Sequence, residues 1–341
     1  MSWRQILPWL VVLATIAGCA PVESEQGGRS DAELPAYSGA YPIRAIATVG
    51  MVADLVRRVG GEQVEVTALM GPGVDPHLYK ATRDDVQTIL GGDIIFYCGL
   101  MLEGRMSDTL RKIGRRKPVI PVAERFDRSL RIDPPGSSGH ADPHVWMDVS
   151  LWSRCLDVVT DTLVRFDPKN AEAYRARAKG YKMELAELHD FGKRAIATIP
   201  ESQRVLITSH DAFQYFGRAY GIEVQGIQGI STESEAGLRR INELVDLMVE
   251  RRIRAVFVET SVPRKNVEAI VEGVRSRGHQ IVIGGELFSD AMGPSGTYEG
   301  TYIGMLDHNI TLVTRALGGD APARGMQGKL SHDLLPSAVS P

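Results

Sequence analysis

The chain has 341 residues, 43% of them hydrophobic and 24% charged, which is enough apolar material for two domains with cores of their own. A formal net charge of −3 and the lack of a long Lys/Arg run argue against a nucleic-acid partner. Three cysteines with no Cys-x-x-Cys pair leave a thiolate zinc site unsupported, and past the first nineteen residues no further apolar stretch reaches membrane length.

The chain opens with Arg4 in a short polar head and an uncharged apolar stretch over 6–16, followed by Ile16-Ala17-Gly18-Cys19. Small residues before a cysteine read as a bacterial lipoprotein processing site, with Cys19 the lipidated residue. The apolar stretch falls short of the ~20 residues that a membrane span takes. An ordinary signal peptide that happens to contain a cysteine is the alternative. A lipoprotein signal over 1–19 implies export, attachment to the lipid bilayer through Cys19, and a body facing the periplasm or cell exterior. Residues 20–41, rich in Gly, Ser, Glu and Pro, predict a disordered tether with a reach of roughly 25 Å as a flexible coil. Cys98 and Cys155 remain. An oxidising compartment could pair them, but two buried small hydrophobes is the preferred reading.

From residue 42 onward strand and helix patterns alternate. Residues 44–49 and 64–69 are β-rich runs separated by a helical pattern on Val52, Leu55, Val56 and Val59. Residues 70–74 form a Gly/Pro loop that leads to His77. A helix over 83–90, a strand over 93–97, a helix over 102–113 and a strand over 118–122 follow. A loop over 133–139, rich in Pro, Gly and Ser, delivers the chain to His144. This is the rhythm of βα units around a parallel sheet, giving an N-terminal α/β lobe over 42–167.

The rhythm then breaks. A helix over 151–166 ends at Asp167, and Pro168 in a first turn restarts another. Ala171, Tyr174, Ala178, Tyr181, Leu185 and Leu188 recur at three- and four-residue steps in a proline-free stretch over 169–198. At 1.5 Å per residue such a helix runs ~45 Å, too long for one crossover of a compact sheet and suited to a strut joining two lobes over 168–199. The alternative is a coiled-coil dimerisation helix. Its imperfect heptads, rich in Ala and Tyr, argue for a monomer instead.

A second series occupies 200–317. A strand over 204–208 runs into Ser209-His210-Asp211, which opens a helix around Phe213 and Phe216. A strand over 222–227 and the loop Ser231-Thr232-Glu233-Ser234-Glu235 lead into a helix over 236–251. A strand over 255–258 ends at Glu259; a helix over 267–274, a strand over 281–284, a loop through Asp290 and a helix over 302–317 complete the lobe. Residues 318–341, with their Gly, Pro and Ser, read as a flexible tail. The fold class is α/β, with two pseudo-symmetric lobes, each a mostly parallel sheet flanked by helices, joined by one long rigid helix.

Chemistry concentrates on a tripeptide that occurs twice, Asp75-Pro76-His77 and Asp142-Pro143-His144, in a chain with eight histidines. Proline fixes its own φ and keeps the preceding residue out of the helical region, so the backbone presenting each His is stiff. A nearby carboxylate can take the second ring N–H of a metal-bound His and fix its tautomer. His77, His144, His210 and Asp290 each follow the carboxyl end of a predicted strand, two in each lobe, where open α/β sheets bind ligands. Facing lobes would gather the four in the interlobe cleft as a set suited to zinc, or to manganese if the carboxylate is bidentate. His140, His189, His279, His308 and His332 read as surface or structural residues.

The segment Met70-Gly71-Pro72-Gly73-Val74-Asp75-Pro76-His77-Leu78-Tyr79-Lys80 is similar to the first metal-ligand loop of the zinc/manganese-binding receptors of bacterial ABC importers, the cluster A-I solute-binding lipoproteins. Asp142-Pro143-His144-Val145-Trp146, Ser209-His210-Asp211-Ala212-Phe213 and Ser289-Asp290 resemble its other three ligand segments. Glu259-Thr260-Ser261, Tyr298-Glu299-Gly300-Thr301-Tyr302 and the loop from Ser231 to Gly237 match in order as well, so the resemblance runs over 41–317. It implies one transported zinc or manganese ion per chain, held in the cleft and delivered to a membrane permease driven by a cytoplasmic ATPase. His210 stands where manganese-devoted members often carry Glu, which leans toward zinc. The region over 133–140 holds a single His, unlike the His-rich loop of specialised zinc receptors, and Gly300-Thr301-Tyr302-Ile303-Gly304-Met305 resembles the branch known for both metals. The ion stays open between zinc and manganese, with iron a distant third.

Two rivals belong to other classes. A secreted metal-dependent hydrolase would need an open coordination position and a base; four protein ligands offer no vacancy, so no enzyme is expected. A surface adhesin would carry its metal as a structural ion. Asp75, Asp142, Glu233, Glu235 and Glu259 are candidates for supporting the ligands or for contacting the permease.

Overall fold

The computed structural model describes residues 34–134 and 139–331. The expected signal peptide, Cys19 and His332 lie outside the described residues. Four strands form the first sheet: β1 (Ile43–Ala47), β2 (Val64–Ala68), β3 (Ile94–Tyr97) and β4 (Val119–Pro121), in the order β2-β1-β3-β4 and all parallel. Ile43, Ala45, Ile94 and Ile95 are fully buried, as strands covered on both faces require. Helices α1 (Gly50–Gly60), α2 (Arg83–Gly91) and α3 (Ser107–Gly114) pack on the sheet, and α4 (Val149–Phe166) packs on α1. Buried Val52, Leu55, Val56 and Val59 form the inward stripe of α1. Asp148 caps α4 by accepting from Ser150 N and Leu151 N.

The long helix α5 (Ala171–Ala197) follows a short 3-10 turn at Pro168–Asn170. Its 27 residues span ~40 Å. Tyr174, Ala178, Tyr181, Leu185, Leu188, Phe191, Ala195 and Ile196 are its buried stripe. That stripe packs on α4 of the first lobe and on α9 (Tyr302–Ala316) of the second. The chain itself therefore covers the surface that a coiled-coil partner would use.

The second lobe holds two parallel pairs, β5 (Val205–Thr208) with β6 (Glu223–Gly226) and β7 (Ala255–Glu259) with β8 (Val282–Leu287), with β5 lying beside β7. A register shift at Val256/Phe257 accompanies Gly285, whose φ of 139° no other residue adopts readily. A Cβ there would meet Leu312 Cδ2 of α9 at 2.7 Å. Helices α6 (Gln214–Tyr220), α7 (Leu238–Glu250) and α8 (Lys265–Ser276) complete the lobe. One apolar cluster runs from the first sheet through α4, α5 and α6 to α9, while a second fills the space between β5, β7, α7 and α8.

Four expectations change. Residues 37–41 are docked on the lobe rather than part of a tether: Tyr37 lies 5.3 Å from the Phe166 ring and Tyr41 OH donates to Asp167 Oδ1 at 2.7 Å. The helix expected from 102 begins at Ser107, because Leu100 and Met101 have φ of 53° and 65° in a loop fixed by Glu103 and Glu124. His210 lies in a bend ahead of α6, which starts at Gln214. The segment over 318–331 is folded, not a flexible tail: Ala321 and Leu330 are buried, Met326 N donates to Asp307 and Ser331 N to Glu299.

Candidate metal centre

Both Asp-Pro-His tripeptides adopt the same local turn. Asp75 Oδ1 accepts His77 N at 2.8 Å, and Asp142 Oδ1 accepts His144 N at 2.9 Å. An Asp side chain mimics a backbone acceptor two residues ahead, and the intervening Pro has no N–H to compete. The repeat is thus a device for aiming an imidazole. In the second copy the carboxylate also reaches the ring, with His144 Nδ1 2.7 Å from Asp142 Oδ1. In the first, Asp75 Oδ2 instead accepts Thr232 Oγ1 from the opposite lobe at 2.5 Å.

His210, just past β5, is held by Glu259 at the end of β7. One carboxylate oxygen accepts His210 N at 2.8 Å and the other lies 2.5 Å from Nδ1. Asp290, in the loop after β8, has Ser261 Oγ 3.3 Å from Oδ2, while Oδ1 is buried with no hydrogen-bond partner among the described residues. With Nδ1–H given to a carboxylate, His144 and His210 in their neutral forms keep their lone pairs on Nε2.

Those lone pairs point at one another. His144 Nε2 is 3.2 Å from His77 Nε2 and 3.4 Å from His210 Nε2. Asp290 Oδ1 is 3.4 Å from His144 Nε2, and Oδ2 is 3.3 Å from His210 Nε2. All four side chains are buried, and one donor atom from each lies within 4.8 Å of the rest. Buried ring nitrogens this close need a proton or a metal ion between them. Without a metal, protons fill that role. Burial works against a charged His144, yet Asp142 and Asp290 outweigh it and raise its pKa to about 9. His210 is raised in the same way by Glu259 and Asp290. For His77 burial wins: Asp290 opposes it, but the other two imidazoles add to it, and the pKa falls to about 3. Burial would raise Asp290, but the imidazoles hold its carboxyl well below the usual range. Three nitrogens and a carboxylate suit a four-coordinate zinc ion; both Asp290 oxygens face the cluster, which also suits a larger, oxygen-seeking manganese ion.

Bonds between the lobes frame the centre. Trp146 Nε1 donates to Ser289 O at 2.8 Å and Tyr302 OH to Trp146 O at 2.7 Å. Tyr215 OH donates to Asp142 O at 2.9 Å and accepts Ile132 N at 3.0 Å, bracing the His144 loop. A cleft of about 310 Å³ between Gly50, Met70, Met292 and Gly296 reaches Asp290.

The four predicted ligands therefore converge, and Asp75, Asp142 and Glu259 bond directly to their imidazole-bearing residues. Glu233 and Glu235 do not: they pair with Arg105 and Lys265 at 2.9 Å each, near the surface. His279 Nε2 meets Ile253 O, His308 Nε2 meets Glu286 O, and His189 stacks near Tyr220. Cys98 and Cys155 are buried free thiols. Tyr215 and Arg105 carry no signal in the sequence, and Thr232 stands out there only as part of a loop. No spacing or periodicity marks residues whose partners sit across the cleft.

The manganese-binding lipoprotein MntA of Bacillus subtilis is 46% identical over 317 residues, covering 92% of this chain and 99% of that protein. The metal ABC transporter substrate-binding lipoprotein FimA of Streptococcus parasanguinis is 26% identical over 281 residues, covering 81% and 89%. Among solved structures, the periplasmic zinc-binding protein TroA of Treponema pallidum superposes with a TM-score of 0.79 at 44% identity, covering 82% of this chain and 99% of that one. A family model described as the periplasmic component A of the zinc-uptake complex matches residues 46–316. That match takes in both lobes, the connecting helix and all four converging side chains, so the chain belongs to the ZnuA family.

Proposed function

We propose that this protein is the extracytoplasmic substrate-binding component of a metal-ion ABC importer. It takes one zinc or manganese ion through His77, His144, His210 and Asp290 and delivers it to a membrane permease coupled to a cytoplasmic ATPase. It works as a monomeric lipoprotein held to the bilayer by Cys19, and it catalyses no reaction. Among the described residues no helix is long and apolar enough to cross a membrane. The observation that carries the reading is the pair of rings tied at Nδ1 by Asp142 and Glu259, which leaves buried Nε2 lone pairs facing Asp290.

Four protein donors close the coordination sphere that a hydrolase would leave open for water. A receptor must also release its ion, so the metal-free chain should stay folded, whereas an adhesin with a structural ion should unfold on chelation. Competitive titration of the chain over 34–331 with zinc and manganese, with bound metal counted by elemental analysis, tests this. One reversibly held ion per folded chain is expected. No stoichiometric metal, or unfolding when it is removed, would overturn the reading.

A further inference from the structure

The loop between β6 and α7 links the two lobes at the metal centre, and nothing in the roles above uses it. Its root grips the His210 strand end. Ile227 N donates to Thr208 O and Gln228 N to Ser209 O at 3.0 Å, and Asp211 N donates to Gly229 O at 3.3 Å. Its tip reaches the opposite lobe with two adjacent residues. Thr232 Oγ1 donates to Asp75 Oδ2 at 2.5 Å, and Glu233 Oε1 accepts Arg105 Nε at 2.9 Å. Behind the tip, Lys265 Nζ donates to Glu235 Oε1 at 2.9 Å and Gln228 Nε2 to Ser234 O at 3.3 Å, both within the second lobe. The loop is a strap with one end at His210 and the other at the residue that aims His77.

Asp75 is the point where the strap acts. Its two oxygens do separate jobs: Oδ1 fixes the His77 backbone N–H and Oδ2 takes the threonine hydroxyl. Among the described residues no carboxylate bonds the His77 ring, unlike those of His144 and His210. The Asp75 turn therefore sets the backbone that aims it, and Asp75 is oriented from across the cleft. We propose that Thr232 is a positioning residue that couples lobe closure to His77, so that breaking the Thr232–Asp75 bond frees this imidazole from the ion first and begins release. The Arg105–Glu233 pair beside it adds a weaker, salt-sensitive hold, as a half-exposed ion pair does.

This inference rests on the metal-receptor reading, and the test separates the two. The ion-loaded chain is mixed with excess chelator in a stopped-flow instrument, and metal dissociation is timed for the wild type, Thr232→Val, Thr232→Ser and Arg105→Gln. Losing a hydrogen bond to a charged acceptor should speed dissociation roughly tenfold in Thr232→Val, with Thr232→Ser close to wild type. Arg105→Gln should speed it by a smaller factor, and that effect should vanish at molar salt. Each variant should still bind one ion and melt like the wild type when metal-free. A wild-type rate in Thr232→Val at full stoichiometry would overturn the strap, and so would a Thr232→Ser rate as fast as that of the valine variant. Absence of bound metal in the wild type would instead overturn the receptor.

Discussion

At the residue scale the centre is built from carboxylates as much as from imidazoles. Asp142 and Glu259 accept ring protons and so decide which nitrogen faces the ion. Replacing either with its amide keeps the shape but weakens the hold on the tautomer. Removing such an outer carboxylate commonly costs 10–100-fold in metal affinity, and that loss is expected for Asp142→Asn and Glu259→Gln in chelator competition. Alanine at His77, His144, His210 or Asp290 should weaken binding further still. His189→Ala, on the face of α5 beside Tyr220, should leave it unchanged.

The pH dependence follows from the same groups. His144, at about 9 in the metal-free fold, and His210, also raised, hold protons at pH 7 that an incoming ion must displace. Binding should therefore release protons, measurable as a dependence of calorimetric heat on buffer ionisation enthalpy, and affinity should climb as pH rises toward 9. For metal-free stability, a raised histidine stabilises fully below its unfolded value of ~6.5, and that contribution fades as pH rises through the folded value. His77 has the opposite sign: with its pKa lowered to about 3, it costs stability as pH falls below the unfolded value, because the unfolded chain takes up a proton that the fold excludes. The gap in melting temperature between loaded and empty protein should widen from pH 6.5 to 9 at fixed free metal. Heat of binding that is the same in every buffer would contradict the protonation pattern.

At the element scale, α5 belongs to both lobes. Leu185 and Leu188 lie in the buried stripe between α4 and α9, in the larger apolar cluster. Leucine-to-alanine changes in such a core cost about 2–5 kcal/mol. Leu188→Ala should lower the urea midpoint while keeping one transition, because no boundary separates the lobes along this helix. Metal affinity under native conditions should be retained, since no ligand sits on α5. Strands and long helices were legible in the sequence because buried runs and helical steps are local signals; the strand positions and the α5 stripe come straight from them. The start of α3 was not, since its preceding loop is set by Glu103 accepting Cys98 N and Gly99 N. The segment over 318–331 has the composition of a loose tail, yet Asp307 and Glu299 bind its backbone. Those partners are distant in sequence, so composition misled. The ligands were legible for the opposite reason: the repeated tripeptide carries its own aiming carboxylate, so the device is local even though the site is not.

At the scale of the whole molecule, the ion would be an interlobe contact in its own right. His77 and His144 come from the first lobe, His210 and Asp290 from the second, and without the metal their approach rests on the protons that His144 and His210 hold. Other contacts also cross between the lobes: Trp146 to Ser289, Tyr302 to Trp146, Tyr215 to Asp142 and Thr232 to Asp75. Those near Trp146 are buried beside the α4–α5–α9 core, whereas the Thr232 end lies at a half-exposed rim. Removing the ion should therefore loosen the rim and leave the α4–α5–α9 side intact. Hydrogen exchange on loaded and empty protein can resolve this. Faster exchange is expected on emptying in the loops over 70–82 and 227–237, with α5 and α9 unchanged. A ligand at a thousand times its dissociation constant stabilises by about 4.1 kcal/mol, so global unfolding should also be slower in the loaded form. Uniform acceleration through α5 on emptying would mean that the ion holds the whole fold together. The molecule would then be a metal-stapled structure and unable to surrender its ion and survive, which transport requires it to do.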